Sequence, residues 1–130
     1  MTQELTDFSK LPSARLYFRI GDTIVREGDP SDGWFVLLTG KVGVFKSDFT
    51  VAEISNPGSV IGELGFLLNI PRTATLIAQE PTLLLHVRVG LDELYAQHPE
   101  IAKRMMMIVA ERLVKTTEDW RDTVVRVEAY

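Results

Sequence analysis

The chain has 130 residues, of which 45% are hydrophobic, and its formal net charge is −4. This length suits one domain with a single core, and the acidic balance argues against nucleic-acid binding by this chain alone. Because the sequence contains no cysteine, disulfides and iron–sulfur ligation are excluded. No apolar run approaches the roughly 18 residues of a membrane span, and the polar residues after Met1 do not resemble a secretory signal. These features predict a cytoplasmic protein.

The first two thirds of the chain show the alternation that is typical of β-strands. Leu16, Phe18 and Ile20 alternate with more polar neighbours, as expected of a half-buried strand. Turn signals rich in glycine, proline and aspartate recur about every ten residues. The predicted strands cover residues 14–20, 23–26, 34–38, 41–46, 49–54, 73–79 and 82–89. Many short strands with regular turns indicate an all-β sandwich or barrel.

Residues 60–75 form a tight excursion between two of these strands. Gly62 and Gly65 permit backbone N–H groups to approach a ligand closely, and a helix beginning near Glu63 directs its free N–H groups to the same place. Arg72 can bind a phosphate through two hydrogen bonds. Glu63 is only an acceptor, which suits a sugar hydroxyl. Phosphate donors beside a hydroxyl acceptor describe a nucleotide site.

Gly-Glu-Leu-Gly at 62–65, followed by Pro-Arg-Thr-Ala-Thr at 71–75, resembles the phosphate-binding cassette of cyclic nucleotide-binding domains. Residues 19–29 and 34–44 are similar to the first half of the same family's β-roll. The resemblance implies a mainly β fold: a jelly-roll-like β-roll (a double-stranded β-helix) over residues 11–90, with the cassette at 61–75, followed by a short helix and one long helix. The ligand-binding residues that it implies in this region are Gly62, Glu63, Leu64, Gly65, Arg72 and Thr73.

From Leu91 onward the spacing of apolar residues becomes helical. Leu91, Leu94 and Tyr95 predict a short helix that ends before Pro99. Residues 99–128 contain no glycine and no proline beyond Pro99 itself, which predicts a second helix about 43 Å long at 1.5 Å per residue.

Two apolar stripes run along this long helix. The first, Ile101, Met105 and Ile108, is expected to pack against the β-roll. The second has gaps of three and four residues, close to the seam of a coiled coil. Its members are Ala102, Met106, Val109, Leu113, Thr116, Trp120, Val124 and Val127. Because one narrow β-roll cannot cover both stripes over such a length, the second stripe predicts a parallel homodimer.

Residues 98–104 and 110–118 resemble the dimer helix of the bacterial catabolite activator proteins. That resemblance implies that Arg112 reaches toward the cyclic phosphate and that Thr116 and Thr117 contact the adenine amino group, one hydroxyl from each subunit. Arg112 and Thr116 are four positions apart and therefore share a helical face. The alternatives are a surface salt bridge for Arg112 and mildly unfavourable helix positions for the threonines.

The sequence therefore predicts a regulatory sensor, not an enzyme, that binds cAMP and couples occupancy to the packing of the long helix in a homodimer. Thr73 can bond the phosphate or the amino group of guanine, so cGMP is the alternative ligand. A dimerisation scaffold whose cassette binds nothing is a further alternative.

A cupin-like metalloenzyme is also conceivable for this fold class, but it needs several converging histidine ligands. The chain has only His86 and His98, so no metal and no cofactor are expected. Activator-type members of the family continue into a DNA-binding helix-turn-helix, and residue 130 falls where that segment would begin. Whether the chain is a fragment of a longer regulator or a free-standing sensor, these residues are expected to bind neither an operator nor a membrane.

Overall fold

Two four-stranded antiparallel sheets form the first of two units, which divide between Gly90 and Leu91. The computed structural model describes residue 8, residues 10–47 and residues 49–122, with side chains as far as residue 115. Within these residues the strands are β1 (Ser13–Phe18), β2 (Thr23–Val25), β3 (Trp34–Thr39), β4 (Val42–Lys46), β5 (Phe49–Ile54), β6 (Val60–Ile61), β7 (Thr75–Ala78) and β8 (Thr82–Val87). The helices are α1 (Glu63–Leu68), α2 (Leu91–Gln97) and α3 (Pro99–Asp122).

The strand order is β1-β8-β3-β6 in the first sheet and β2-β7-β4-β5 in the second. Sequential strands such as β1 and β2 thus lie in different sheets, as expected when a chain winds between the two halves of a β-roll. The register places Leu16 of β1 opposite Leu84 of β8, and Phe35 of β3 opposite His86 of β8. The predicted fold class, a β-roll followed by a short and a long helix, is confirmed.

The core of the β-roll lies between the two sheets. Strands of both sheets supply it: Val42 and Val44 on β4 are fully buried, and Leu37 and Leu84 are fully buried on the facing sheet. The complete buried cluster is Phe35, Leu37, Val42, Val44, Ile61, Ala74, Leu76 and Leu84. This cluster includes Ile61 from the strand before the cassette and Leu76 from the strand after it, so the core fixes both ends of the cassette.

Replacing Leu37 by alanine should lower the free energy of unfolding by about 2–5 kcal/mol, because the substitution leaves a cavity in a fully buried position. Urea denaturation measures the loss. Ile20, which is 69% exposed, provides the control, and Ile20→Ala should change stability by no more than about 0.5 kcal/mol. A comparable loss at both positions would contradict the placement of the core.

Two details of the β-roll differ from the sequence-based expectation. Strand β6 pairs with β3, with Ile61 opposite Phe35, whereas Val60–Ile61 was expected only to open the cassette; two residues are too few for alternation to be visible. Ile20 was expected in the first strand but lies in a turn. The Asp22 carboxylate accepts the Arg19 N–H at 2.7 Å and closes that turn.

The second unit consists of α2 and α3, which are separated by His98. The His98 N–H donates to the Leu94 carbonyl (2.8 Å), and the His98 carbonyl accepts from Ile101 and Ala102 (both 3.0 Å), so one residue ends a helix and begins the next. Ile101 and Met105, of the first predicted stripe, are 5% and 2% exposed. None of the described helices combines the length and the apolarity needed to cross a membrane.

Part of the predicted long helix lies outside the described residues. Helix α3 is described to Asp122 and its side chains to residue 115. The side chains of Thr116, Thr117, Trp120, Val124 and Val127, and the predicted helical residues 123–128, fall beyond those limits.

Candidate functional site

Helix α1 of the cassette is bounded at both ends by residues with left-handed backbone conformation. Gly62 precedes it with a φ of 78°, and Asn69 follows it with a φ of 55°. A Cβ at Gly62 would lie 2.9 Å from Nη1 of Arg72. Glycine is therefore required at this position for two reasons: the backbone has a positive φ, and the Arg72 guanidinium occupies the space that a side chain would need.

Two ionisable side chains of the cassette are buried. Glu63 is fully buried and Arg72 is 6% exposed. Removing a charged group from water costs several kcal/mol unless other interactions compensate. Their burial indicates that both groups have a role that an ordinary turn does not require.

The Arg72 guanidinium is held by backbone oxygens and an aromatic ring. Nη1 donates to the Gly33 carbonyl at 3.0 Å and to the Gly62 carbonyl at 3.1 Å. The guanidinium carbon lies 5.4 Å from the centroid of the Phe35 ring, within range of a cation–π interaction. Burial lowers the pKa of Arg72 from its ordinary value, and the Asp32 carboxylate raises it in part. Arginine nevertheless stays charged at physiological pH, so the site keeps a fixed, oriented cation.

The loop of residues 28–33 is joined to cassette residues 70–72 by a set of hydrogen bonds that we call the latch. Its main-chain part is reciprocal: the Gly28 N–H donates to the Arg72 carbonyl at 2.9 Å, and the Arg72 N–H donates to the Asp29 carbonyl at 2.8 Å. Since the Arg72 guanidinium also bonds the same loop, the position of the loop and the orientation of this side chain depend on each other.

Ser31 completes the latch, and no feature of the sequence singled it out. Its Oγ donates to the Ile70 carbonyl at 2.7 Å across 39 positions of chain. The same oxygen lies 2.1 Å from the place where a Cβ on Gly65 would stand. The glycine at 65 thus makes room for the serine hydroxyl.

We expect Ser31→Ala to cost roughly 0.5–1.5 kcal/mol of stability through loss of its hydrogen bond, and Gly65→Ala to cost at least as much. The new methyl group would displace the same hydroxyl from Ile70 and would also stand 3.1 Å from the Ile70 carbonyl oxygen. The double variant should lose little more than Gly65→Ala alone. Chemical denaturation of the parent protein, the two single variants and the double variant measures the coupling between Ser31 and Gly65. Strictly additive losses would show that Ser31 and Gly65 do not interact.

Lys46 places a second cation beside the cassette. Its Nζ donates to the Thr73 carbonyl at 3.2 Å, across 27 positions of chain, which is why sequence reasoning did not find it. The contact joins β4 to the segment that follows Arg72 and places an ammonium group at the main chain of Thr73.

Four of the predicted site residues line one small cavity of about 20 Å³: Gly62, Gly65, Arg72 and Thr73. Glu63 begins the helix next to Gly62, and Leu64 follows it, half-buried. Arg112 is half-buried on α3, in the second unit. Thr116 and Thr117 have side chains outside the described residues.

Among the described residues, no group of three or more histidines, aspartates and glutamates is arranged to hold a metal ion. His86 instead stacks on Phe35, with ring centroids 4.8 Å apart. The buried ionisable groups of the cassette are thus one guanidinium and one carboxylate.

The family model of the cyclic nucleotide-binding domain matches residues 15–98, which include the cassette and the latch. The chain belongs to the cyclic nucleotide-binding domain family, and the resemblance seen in the sequence is confirmed. It is a regulatory cyclic nucleotide-binding domain.

Known proteins similar to this chain include bacterial regulators. A CRP-like cAMP-activated global transcriptional regulator of Mycobacterium tuberculosis is 28% identical over 113 residues, which are 82% of this chain and 50% of that protein. The N-terminal domain of a transcriptional regulator from Streptomyces coelicolor matches with a TM-score of 0.64 and 31% identity over 91% of this chain and 88% of that one. The catabolite activator protein of Thermus thermophilus matches with a TM-score of 0.76 and 25% identity, over 93% and 59%. The chain spans at most half the length of the curated relatives it matches.

Proposed function

We propose that this chain is a cAMP sensor in which the cassette binds the cyclic phosphate and the ribose. The observation that carries the proposal is the burial of Glu63 and Arg72 at opposite ends of a ten-residue segment. A cyclic nucleotide presents a phosphate for the guanidinium and a 2′-hydroxyl for the carboxylate. The description of the mycobacterial relative as cAMP-activated favours cAMP, and cGMP is the alternative.

The geometry of Arg72 supports phosphate binding. Within the described residues, both of its side-chain hydrogen bonds come from Nη1, which leaves Nε and Nη2 as donors. Bonds to the Gly33 and Gly62 carbonyls preorganise the side chain, so less conformational entropy is lost when a ligand binds. Thr73 and the backbone N–H groups of Gly62, Leu64 and Gly65 supply further donors in this proposal.

The size of the cassette cavity bears on how the ligand enters. About 20 Å³ has room for roughly one water molecule, so in this arrangement the cavity is smaller than a cyclic nucleotide. We therefore expect ligand binding to shift the β-roll between two arrangements. Arg112, Thr116 and Thr117 are proposed to contact the ligand from the long helix, which would transmit this change to helix packing.

Calorimetric titration with cAMP and with cGMP tests the proposal. We expect saturable binding of both, with cAMP the tighter ligand. Tighter binding of cGMP would transfer the assignment to the alternative ligand. Absence of heat with either nucleotide at millimolar concentration would leave only the dimerisation scaffold.

The proposed homodimer is supported by apolar side chains that a single chain leaves exposed on α3. Met106 and Leu113, both in the second predicted stripe, are 57% and 60% exposed. Paired helices would bury them in the seam of a coiled coil.

Leu113→Glu should therefore weaken the dimer by at least about tenfold, since it brings two carboxylates into an apolar seam. Sedimentation equilibrium measures the dissociation constant. Val114→Glu is the matched control, because Val114 is 58% exposed but lies outside the predicted stripe. Equal weakening by both variants, or a monomeric parent protein, would contradict the predicted seam.

A further inference from the structure

We propose that the β-roll holds a second ligand site, next to the cassette cavity, for a flat, ring-sized organic molecule that ends in a carboxylate. The site is a cavity of about 240 Å³ between β1, β2 and the loop of residues 29–32, which we call the β1–β2 cavity. The cassette cavity measures about 20 Å³. An apolar cavity of about 150 Å³ is known to hold benzene, so the β1–β2 cavity has room for one ring and a small polar group.

The walls of the β1–β2 cavity fit an apolar ring. Leu16 and Phe18 line it from β1, Ile24 and Val25 from β2, and Phe35 from β3. All but Phe35 are only partly buried, although they belong to the inner surface of the roll. Covering such side chains with an apolar ring removes their surface from water, which is favourable by roughly 25 cal/mol per Å².

The buried polar group of this cavity is a hydrogen-bond donor. Arg72 lines it, is 6% exposed, and uses only Nη1 for its hydrogen bonds within the described chain. His86, also in the lining, has Nε2 at 2.5 Å from the Asp32 carbonyl oxygen. Because a carbonyl only accepts, Nε2 must carry the hydrogen. These placements favour a ligand whose inner end accepts hydrogen bonds from Arg72.

The acidic side chains of the cavity belong to its exposed rim. Asp29 is exposed, and the Asp32 side chain is 67% exposed and paired with Arg88 at 2.9 Å. Screening by solvent and by Arg88 weakens their repulsion of an anion, whereas the attraction of the buried Arg72 is little screened. The balance selects a carboxylate over an ammonium group of the same size.

Arg72 and Val25 also line the cassette cavity. A carboxylate in the β1–β2 cavity and a cyclic phosphate in the cassette would therefore compete for hydrogen bonds from the same guanidinium. We infer that the two ligands weaken each other's binding, and by linkage the factor is the same in both directions. This consequence, unlike the second site itself, rests on the proposed function.

The test uses benzoate as the probe, with benzamide and benzylamine as matched neutral and cationic molecules. Amide spectra of the isotope-labelled protein, recorded without any nucleotide, should show saturable shifts in β1 and β2 with benzoate. Benzamide should bind more weakly, and benzylamine should produce no saturable shift. No shift with benzoate, or stronger binding of benzylamine, would overturn the proposal.

Adjacent residues of β1 provide matched variants. Leu16→Trp should fill the cavity and weaken benzoate binding by at least tenfold, whereas Tyr17→Trp, at a position 64% exposed, should leave it unchanged. Should Leu16→Trp fail to fold, Leu16→Ala should enlarge the cavity and admit 2-naphthoate. Benzoate shifts that both tryptophan variants preserve, or exclusion of 2-naphthoate by Leu16→Ala, would refute the assignment. Because no nucleotide is present, these outcomes are independent of whether cAMP binds.

Discussion

Replacing Arg72 by alanine is expected to weaken cAMP binding by about one to two powers of ten. A hydrogen bond to a charged group contributes about 1.5–3 kcal/mol, and this side chain supplies the only guanidinium among the residues that line the cassette cavity. Calorimetry with the variant and the parent protein measures the change. The same substitution leaves the Gly33 and Gly62 carbonyls without the bonds they now accept, so unfolding must be measured in parallel.

Two further variants separate recognition from general electrostatics. Arg72→Lys keeps the charge but loses the planar, forked donor set, so it should recover only part of the affinity. Arg88→Ala removes a nearby exposed cation whose side chain is 67% exposed, and it should change affinity by less than about fivefold. If Arg88→Ala were as damaging as Arg72→Ala, the net charge of the region, and not the cassette, would be responsible for binding.

Glu63→Ala should weaken cAMP binding by about tenfold to a hundredfold, and the loss should depend on the ribose hydroxyl. A buried carboxylate that accepts a hydrogen bond from the 2′-hydroxyl makes a charge-assisted bond of about 1.5–3 kcal/mol. The parent protein should therefore prefer cAMP over 2′-deoxy-cAMP by a similar factor, and the variant should bind the two ligands almost equally.

Titration of both proteins with both ligands forms a cycle that isolates this one contact. Glu63→Gln keeps the shape and an acceptor oxygen but removes the charge, so its affinity for cAMP should fall between those of the parent and of Glu63→Ala. A loss of equal size for cAMP and 2′-deoxy-cAMP would mean that Glu63 supports the fold of the cassette and does not touch the sugar.

Most of the β-roll could be predicted from the sequence because its signals are local. Alternation marks a strand wherever one face is buried, as in β7, where Leu76 and Ala78 are buried and Thr75 and Ile77 are only partly buried. Glycine, proline and aspartate mark the turns. Strand β6 was not predicted, because two residues are too few to show an alternating pattern. The end of β1 was misplaced because Ile20 continues the alternation although the Asp22 side chain has already closed the turn.

The cassette could be predicted as a motif, but its supports could not. Gly62, Gly65 and Arg72 were predicted from their chemistry and from the family resemblance, and Thr73 from the resemblance alone; the structure brings the four to one cavity. Ser31 bonds the cassette at Ile70, 39 positions away in the sequence, and Lys46 bonds it at Thr73, 27 positions away. No local pattern in the sequence connects these residues to the cassette. Contacts of this kind depend on how the strands are ordered in the sheets, which alternation does not specify. The roles of Arg112, Thr116 and Thr117 stay predictions.

The latch has a consequence for any attempt to redesign the affinity of this domain. Its reciprocal bonds join main-chain atoms of Gly28, Asp29 and Arg72, so substitutions between positions 29 and 32 leave that part of the connection intact. Gly28 and Gly33 are different, because both have a positive φ that other residues rarely adopt. Inserting or deleting a residue between positions 28 and 33 would instead shift the loop carbonyls relative to the guanidinium. Loop length, together with the two glycines that require positive φ, is therefore what sets the position of the loop against the guanidinium.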